Sequence, residues 1–269
     1  MPHATINGIR INYNEVGSGD PLLLVMGFGM PGDAWLGSLP FLDGFRALYF
    51  DNRGTGQSDA PEGPYTIAQM AADAAGLLDH LQIGRAHVYG VSMGGMIAQE
   101  LVLRHPTKVR AVVLGCTMCG GAYAKLGAPE VLDVLIDVVS NMGKPDPVSW
   151  VDRQLPLLFP QAWIDANPMI KDLLVMAVSM MPPTPPATAQ NAMAGMFGWS
   201  AYERLPEITA PTLIVHGDAD VIIPVDNAYI LKDRIPGATL HIVPGAGHGY
   251  PAQDPVGVHA VVTEFFRRN

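Results

Sequence analysis

Positive charge is scarce in this chain. Sixteen Lys and Arg stand against 25 Asp and Glu, a formal net charge of -9, and the basic residues are scattered. Nucleic acid and anionic membrane surfaces call for clustered Lys and Arg, so neither is expected as a partner. Long apolar runs are missing too, since no stretch reaches the roughly 18 residues of a membrane span. The opening "MPHATINGIRINY" has no basic segment followed by an apolar run, and a cytoplasmic location is expected. Cysteine is rare. Cys116 and Cys119 read "CTMC", but a redox pair should open a helix and a zinc site needs two further ligands. This pair follows the strand-like "VRAVVLG", so two reduced thiols are expected and no metal. Charged residues make up only 15% of the chain against 49% hydrophobic, with a mean hydropathy of +0.21, which excludes disorder and leaves ample material for a core.

What is present is an alternation. Short apolar or β-branched runs, "PLLLVMG", "RALYFD", "AHVYG", "VRAVVLG", "PTLIVHG" and "TLHIVPG", are separated by segments of helical period, which predicts a largely parallel sheet with helices on both faces. Their near-continuous apolar character suits strands buried on both sides. "ATINGIRINYNEV" predicts an opening hairpin turning at Asn7-Gly8. Thr66 and Gln69 form a capping box before "MAADAAGLLDHL", and Asp254-Pro255 places an N-cap and a first-turn proline before the C-terminal helix. From about residue 120 to 205 the alternation stops, which reads as an insertion. Its Met and aromatic content, including Met176, Met180, Met196, Phe197 and Trp199, suits an adaptable apolar lining, though most of these residues would fill the insertion's own core.

One stretch points to chemistry. "GVSMGG", Gly90 to Gly95, stands between a predicted strand and a predicted helix. A turn tight enough to lift one side chain above a sheet strains that residue and admits only small neighbours, which makes Ser92 a candidate nucleophile. The Met93 N–H would then lie at a helix N-terminus, where developing negative charge is favoured. Serine needs a base, and the base needs an acid to orient it. "DADVIIP" after one later strand offers Asp218 and Asp220, and "AGHGYP" after the next offers His248. Among the eight histidines only His216 competes, but it lies beside the acid candidates in the same loop. The loop "LLLVMGFGMPGDAW" should supply a second oxyanion donor; Gly27 permits a sharp turn there, so the Phe28 N–H is the choice and Trp35 a candidate pocket wall.

These segments, with "DNRGTGQSD", together resemble the α/β-hydrolase superfamily over nearly the whole chain. The resemblance implies an α/β-hydrolase fold, a mostly parallel, doubly covered sheet with an inserted helical cap: residues 1–119 and 206–269 as core, 120–205 as cap. It assigns Asp220 as the acid, with Asp218 as the fallback, and gives Asp51 and Arg53 a bracing role. Met26-Gly27, where many members carry His-Gly, is similar to the subgroup of aclacinomycin methylesterase. The implied activity is that of a serine esterase acting through an acyl-enzyme on a small to medium, moderately apolar ester, without metal or organic cofactor. An enol-lactonase or a cofactor-free perhydrolase or haloperoxidase is the alternative within enzymes, and a non-catalytic small-molecule receptor the alternative outside them. A small-molecule ester or lactone is the expected partner, and a homodimer the assembly considered. The anionic substrate of an enol-lactonase would call for a pocket cation, of which the insertion offers Lys125, Lys144, Arg153, Lys171 and Arg204.

Overall fold

The protein was analysed as a computed structural model that describes residues 2–140, 146–182 and 184–269. Eight strands, β1 (His3–Ile6), β2 (Ile9–Val16), β3 (Asp20–Val25), β4 (Phe45–Phe50), β5 (Ala86–Val91), β6 (Val109–Gly115), β7 (Thr212–Gly217) and β8 (Thr239–Val243), form one sheet. Their order is β1-β2-β4-β3-β5-β6-β7-β8. β1 and β2 pair antiparallel, as β2 does with β4, and the remaining pairs are parallel. The hairpin turns at Asn7 and Gly8, both at positive φ (51° and 82°) as a two-residue hairpin turn requires.

Among the described residues ten α-helices accompany the sheet: α1 (Ile67–His80), α2 (Met93–Arg104), α3 (Pro129–Ser140), α4 (Pro147–Leu158), α5 (Gln161–Ala166), α6 (Ile170–Met180), α7 (Pro186–Phe197), α8 (Asp226–Arg234), α9 (Tyr250–Gln253) and α10 (Pro255–Arg268). α1 starts at the Thr66–Gln69 capping box and α10 at the Asp254 side-chain cap, as the sequence predicts. None of the described helices is long and apolar enough to cross a membrane.

The apolar strands divide by parity between two cores. Leu23, Val25, Leu48, Phe50, Val88, Val112 and Ile214 pack beneath α1, α2 and α8. Leu22, Leu24, Ala47, Tyr49, Tyr89, Val113 and Val215 pack beneath α10. Alternate residues face opposite sides of a sheet, so two buried faces demand an unbroken apolar run. The order in which strands are added reverses about β3: β4 lies on one side of it and β5 on the other, all three parallel. Crevices open at the carboxyl ends of strands at such a switch point, here between the loops that follow β3 and β5.

The helices α3 to α7 are inserted between β6 and β7. Their stem is closed by a bridge between Gly120 and Ser200. On the returning side of the stem, Trp199, Ala201 and Leu205 pack into the sheet's own core cluster. A buried acid explains the attachment. Glu100 on α2 accepts from Trp199 Nε1 (2.8 Å) and Arg204 Nη2 (2.6 Å), and pairs with Arg104. Burial opposes its charge, but these donors hold its carboxyl at about 2.

His87 on β5 is the opposite case. It is fully buried between Phe45 and Phe266, and neither ring nitrogen has a hydrogen-bond partner. Burial, and then the charge of Arg110, push it down to about 4 against the opposing pull of Asp20. The unfolded chain therefore takes up a proton near the ordinary imidazole value while the native chain does not until about pH 4. Stability attributable to this residue is full above about pH 6.5 and is lost as the pH falls toward 4. Urea midpoints measured across that window should fall more steeply for the wild type than for His87→Leu. Parallel curves would show that His87 is not the group responsible.

Candidate active site

The turn after β5 explains its glycines. Ser92 sits at φ 55°, ψ -123°, between the end of the strand and the first residue of α2. A Cβ on Gly90 would fall 2.2 Å from Gly94 O, one on Gly94 2.1 Å from Val25 O, and one on Gly95 2.5 Å from Thr117 Cβ. Side chains at these positions would push the turn apart. The strained serine is held at both ends of its backbone: its N–H donates to Gly115 O (2.9 Å), and Thr117 Oγ1 donates to its carbonyl (2.7 Å). Such strain persists only where the surroundings over-determine it.

Two candidate oxyanion donors flank Ser92. Met93 is the first residue of α2, so its N–H has no acceptor within the helix. Phe28 lies on the loop after β3, and its N–H makes no backbone hydrogen bond among the described residues. The preceding Gly27 lies close over the serine, where a Cβ would stand 3.1 Å from Ser92 Cβ. The loop is braced by the "DNRGTGQSD" segment. Asp51 accepts from Gly32 N (2.7 Å), Gln57 N (2.8 Å) and Asn12 Nδ2 (2.9 Å), and Asn52 Nδ2 donates to Met26 O (3.1 Å). Arg53 acts further away, in a bidentate buried pair with Asp73 on α1.

The acid and the histidine come from the loops after β7 and β8. His248 Nδ1 is 2.7 Å from Asp220 Oδ2. The other oxygen, Oδ1, accepts from the N–H groups of Ile222 and Ile223, both at 2.9 Å. Burial opposes ionisation of Asp220, but the His248 imidazole and the His216 N–H hold its carboxyl well below the usual range. Asp218 does different work, accepting from Gly245 N (2.6 Å) and so tying the β7 and β8 loops together. His216 is wholly buried on the far side of Asp220 and does not reach the cavity. Beneath His248, the hydroxyls of Tyr89 and Tyr250 meet at 2.8 Å inside the core and anchor the histidine's loop.

Ser92 and His248 border the same cavity, of about 650 Å³. No hydrogen bond joins them here, and contacts of this kind commonly tighten only when substrate enters. The cavity has a floor of Met26, Gly27, Phe28, Val91, Ser92 and Cys116, and a roof supplied by α3, α4 and α7. Of the candidate pocket residues, Trp35, Met196 and Phe197 line it. Met176 and Met180 do not: they are 58% and 81% exposed, because α6 packs outside α4, which supplies the wall in its place. The α3 residues Leu132, Leu135 and Ile136, and Trp150 and Leu157 of α4, are lining residues that the sequence did not single out. Amphipathic period in a cap helix gives a face but not its direction.

Among the described residues, no Asp, Glu, Lys or Arg lines the cavity. Of the five basic residues in the insertion, Arg153 pairs with Asp137, Lys171 with Asp152 and Arg204 with Glu100. Lys125 is exposed, and Lys144 lies outside the described residues. Cys116 and Cys119 are buried free thiols, and burial pushes both up, Cys116 well beyond the usual range.

Comparison with known proteins defines the class. The family model described as "alpha/beta hydrolase fold" matches residues 20–251, and the chain belongs to the α/β-hydrolase family. Among its relatives is the "Putative carbamate hydrolase RutD" of Azorhizobium caulinodans, 29% identical, with 95% of this chain and 94% of that one covered. The enol-lactonase of Burkholderia xenovorans LB400 superimposes with a TM-score of 0.85 at 25% identity over 99% of this chain and 100% of that one. A thermophilic esterase from Thermogutta terrifontis does so with 0.83 at 26% identity, over 99% and 98%. The protein is a hydrolase of this family.

Proposed function

We propose that the chain is a serine hydrolase that cleaves an uncharged, largely apolar carboxylic ester or lactone through an acyl-enzyme. The observation that carries this reading is the His248–Asp220 hydrogen bond at the rim of a cavity whose floor holds the strained Ser92. With a carbonyl over Ser92, His248 Nε2 takes the Oγ proton as Oγ attacks carbon. The oxyanion so formed is held by the N–H groups of Phe28 and Met93, each contributing about 3 kcal/mol if it behaves as measured donors do elsewhere. Collapse breaks the carbonyl-carbon-to-alkoxide bond, and His248 returns the proton to the departing alcohol. Water, deprotonated by the same nitrogen, then attacks the acyl carbon and frees Ser92. Asp220 stays ionised throughout, fixes the Nδ1–H tautomer and stabilises the imidazolium.

The test is covalent. An organophosphonate ester should add once, on Ser92, and end hydrolysis of p-nitrophenyl butyrate in proportion to labelling. Absence of both labelling and turnover across esters, lactones and carbamates, with binding retained, would turn the reading toward a receptor. The apolar character of the described lining supports this substrate preference, because a carboxylate carried among those residues would be desolvated without a partner. In kcat/KM, p-nitrophenyl butyrate should exceed the p-nitrophenyl half-ester of succinic acid on the order of 100-fold, the equivalent of roughly 2.7 kcal/mol. Equal values would place a cation in the site and favour an anionic lactone as substrate.

A further inference from the structure

Resting on the serine-hydrolase reading, we infer that His216 is a positioning residue for the reaction, holding the Asp220 loop and sharing the carboxylate oxygen that His248 uses. It is the penultimate residue of strand β7, four residues before Asp220, with no exposed surface and no face on the cavity.

Its Nε2 lies 2.7 Å from Ile223 O and 3.4 Å from Asp220 Oδ2. A carbonyl only accepts, so Nε2 bears the proton. The same Ile223 donates its own N–H to Asp220 Oδ1. One residue thus joins both: His216 fixes the Ile223 carbonyl, the Ile223 amide fixes one carboxylate oxygen, and the His216 N–H dipole faces the other oxygen. That second oxygen is the one hydrogen-bonded to His248.

The remaining nitrogen, His216 Nδ1, is buried without any hydrogen-bond partner. An orphaned buried acceptor is a cost that an apolar residue at this position would avoid. Packing alone therefore does not account for an imidazole here, whereas a donor at the Nε2 position does.

Three substitutions separate the donor from the bulk. The amide nitrogen of glutamine stands three bonds from Cβ, as Nε2 does, and that of asparagine two, as Nδ1 does. His216→Gln should keep kcat within about threefold of wild type, while His216→Asn and His216→Leu should lose on the order of 100-fold in kcat with KM within twofold, as expected for a displaced catalytic group. The rate of organophosphonate labelling of Ser92 should fall in parallel. Thermal midpoints are measured alongside, and if His216→Leu does not fold, the contrast between Gln and Asn decides.

Ser92→Ala is assayed on the same substrate to keep two failures apart. Turnover surviving in that variant would remove the serine-hydrolase reading itself. If Ser92 is required but His216→Leu labels at the wild-type rate, or Gln is as impaired as Asn, the positioning role alone is overturned.

Discussion

Ser92→Ala is expected to lower kcat for p-nitrophenyl butyrate on the order of 10⁵- to 10⁶-fold, the scale seen when the nucleophile is removed from comparable serine enzymes. The reason lies in what the hydroxyl does and does not hold. Ser92 is fastened through its backbone, by Gly115 O and Thr117 Oγ1, and its Oγ makes no hydrogen bond that supports the turn. Alanine keeps the Cβ and therefore the same strain at φ 55°, so the elbow should survive. The thermal midpoint should stay within a few degrees of wild type, since deleting one unbonded hydroxyl changes stability by well under about 1 kcal/mol. Loss of activity with an intact fold would assign the deficit to chemistry. A variant that retained more than a few per cent of turnover would show that another nucleophile, or water alone, carries the reaction. Residual rate near the 10³-fold level over background is consistent with the proposed mechanism, in which the N–H groups of Phe28 and Met93 would remain to polarise the carbonyl.

How much of this site could be read from the chain depends on how local each constraint is. The strands were legible because burial on both faces leaves a continuous apolar run, and Leu22 to Val25 do fill both cores. The position of Ser92 was legible because close backbone approach at Gly90 and Gly94 leaves a sequence mark. The choice between Asp218 and Asp220 was not legible in the loop itself, where both stand, and came only from the family resemblance, which assigned Asp220. Only the fold reveals that Asp218 ties Gly245 while Asp220 faces His248. Methionines announce an adaptable apolar surface but not where it points. Met196 lines the cavity, whereas Met176 and Met180 lie on the outer face of α6. The contribution of α3, through Leu132 and Ile136, depends on how one cap helix packs over another, a long-range choice with no local signature. The attachment of the insertion's stem has no local mark for a similar reason: Trp199 and Leu205 pack into the core cluster, and Trp199 donates to Glu100 on α2, which is distant in sequence.

The same long-range detail makes Asp220→Asn informative. In the native site Oδ1 accepts from two amides, Ile222 N–H and Ile223 N–H. An asparagine must keep its carbonyl oxygen at that position, because an NH₂ there would face two donors with none of its own needs met. Its NH₂ is thereby forced onto the Oδ2 side, toward His248 Nδ1 and His216 Nε2. His248 can then satisfy the contact only by accepting at Nδ1, which places its proton on Nε2, the nitrogen that has to take the proton of Ser92. The base is present and in place, but in the wrong tautomer. The expected loss is about 10⁴-fold in kcat at neutral pH, with KM little changed. Partial recovery should follow at high pH, where hydroxide relieves the need for a general base. Asp220→Ala removes the carboxylate without forcing either tautomer, so it should be impaired no more than Asp220→Asn despite losing more contacts. A larger loss in Asp220→Ala than in Asp220→Asn would mean that orientation, rather than tautomer, is the main contribution of the acid.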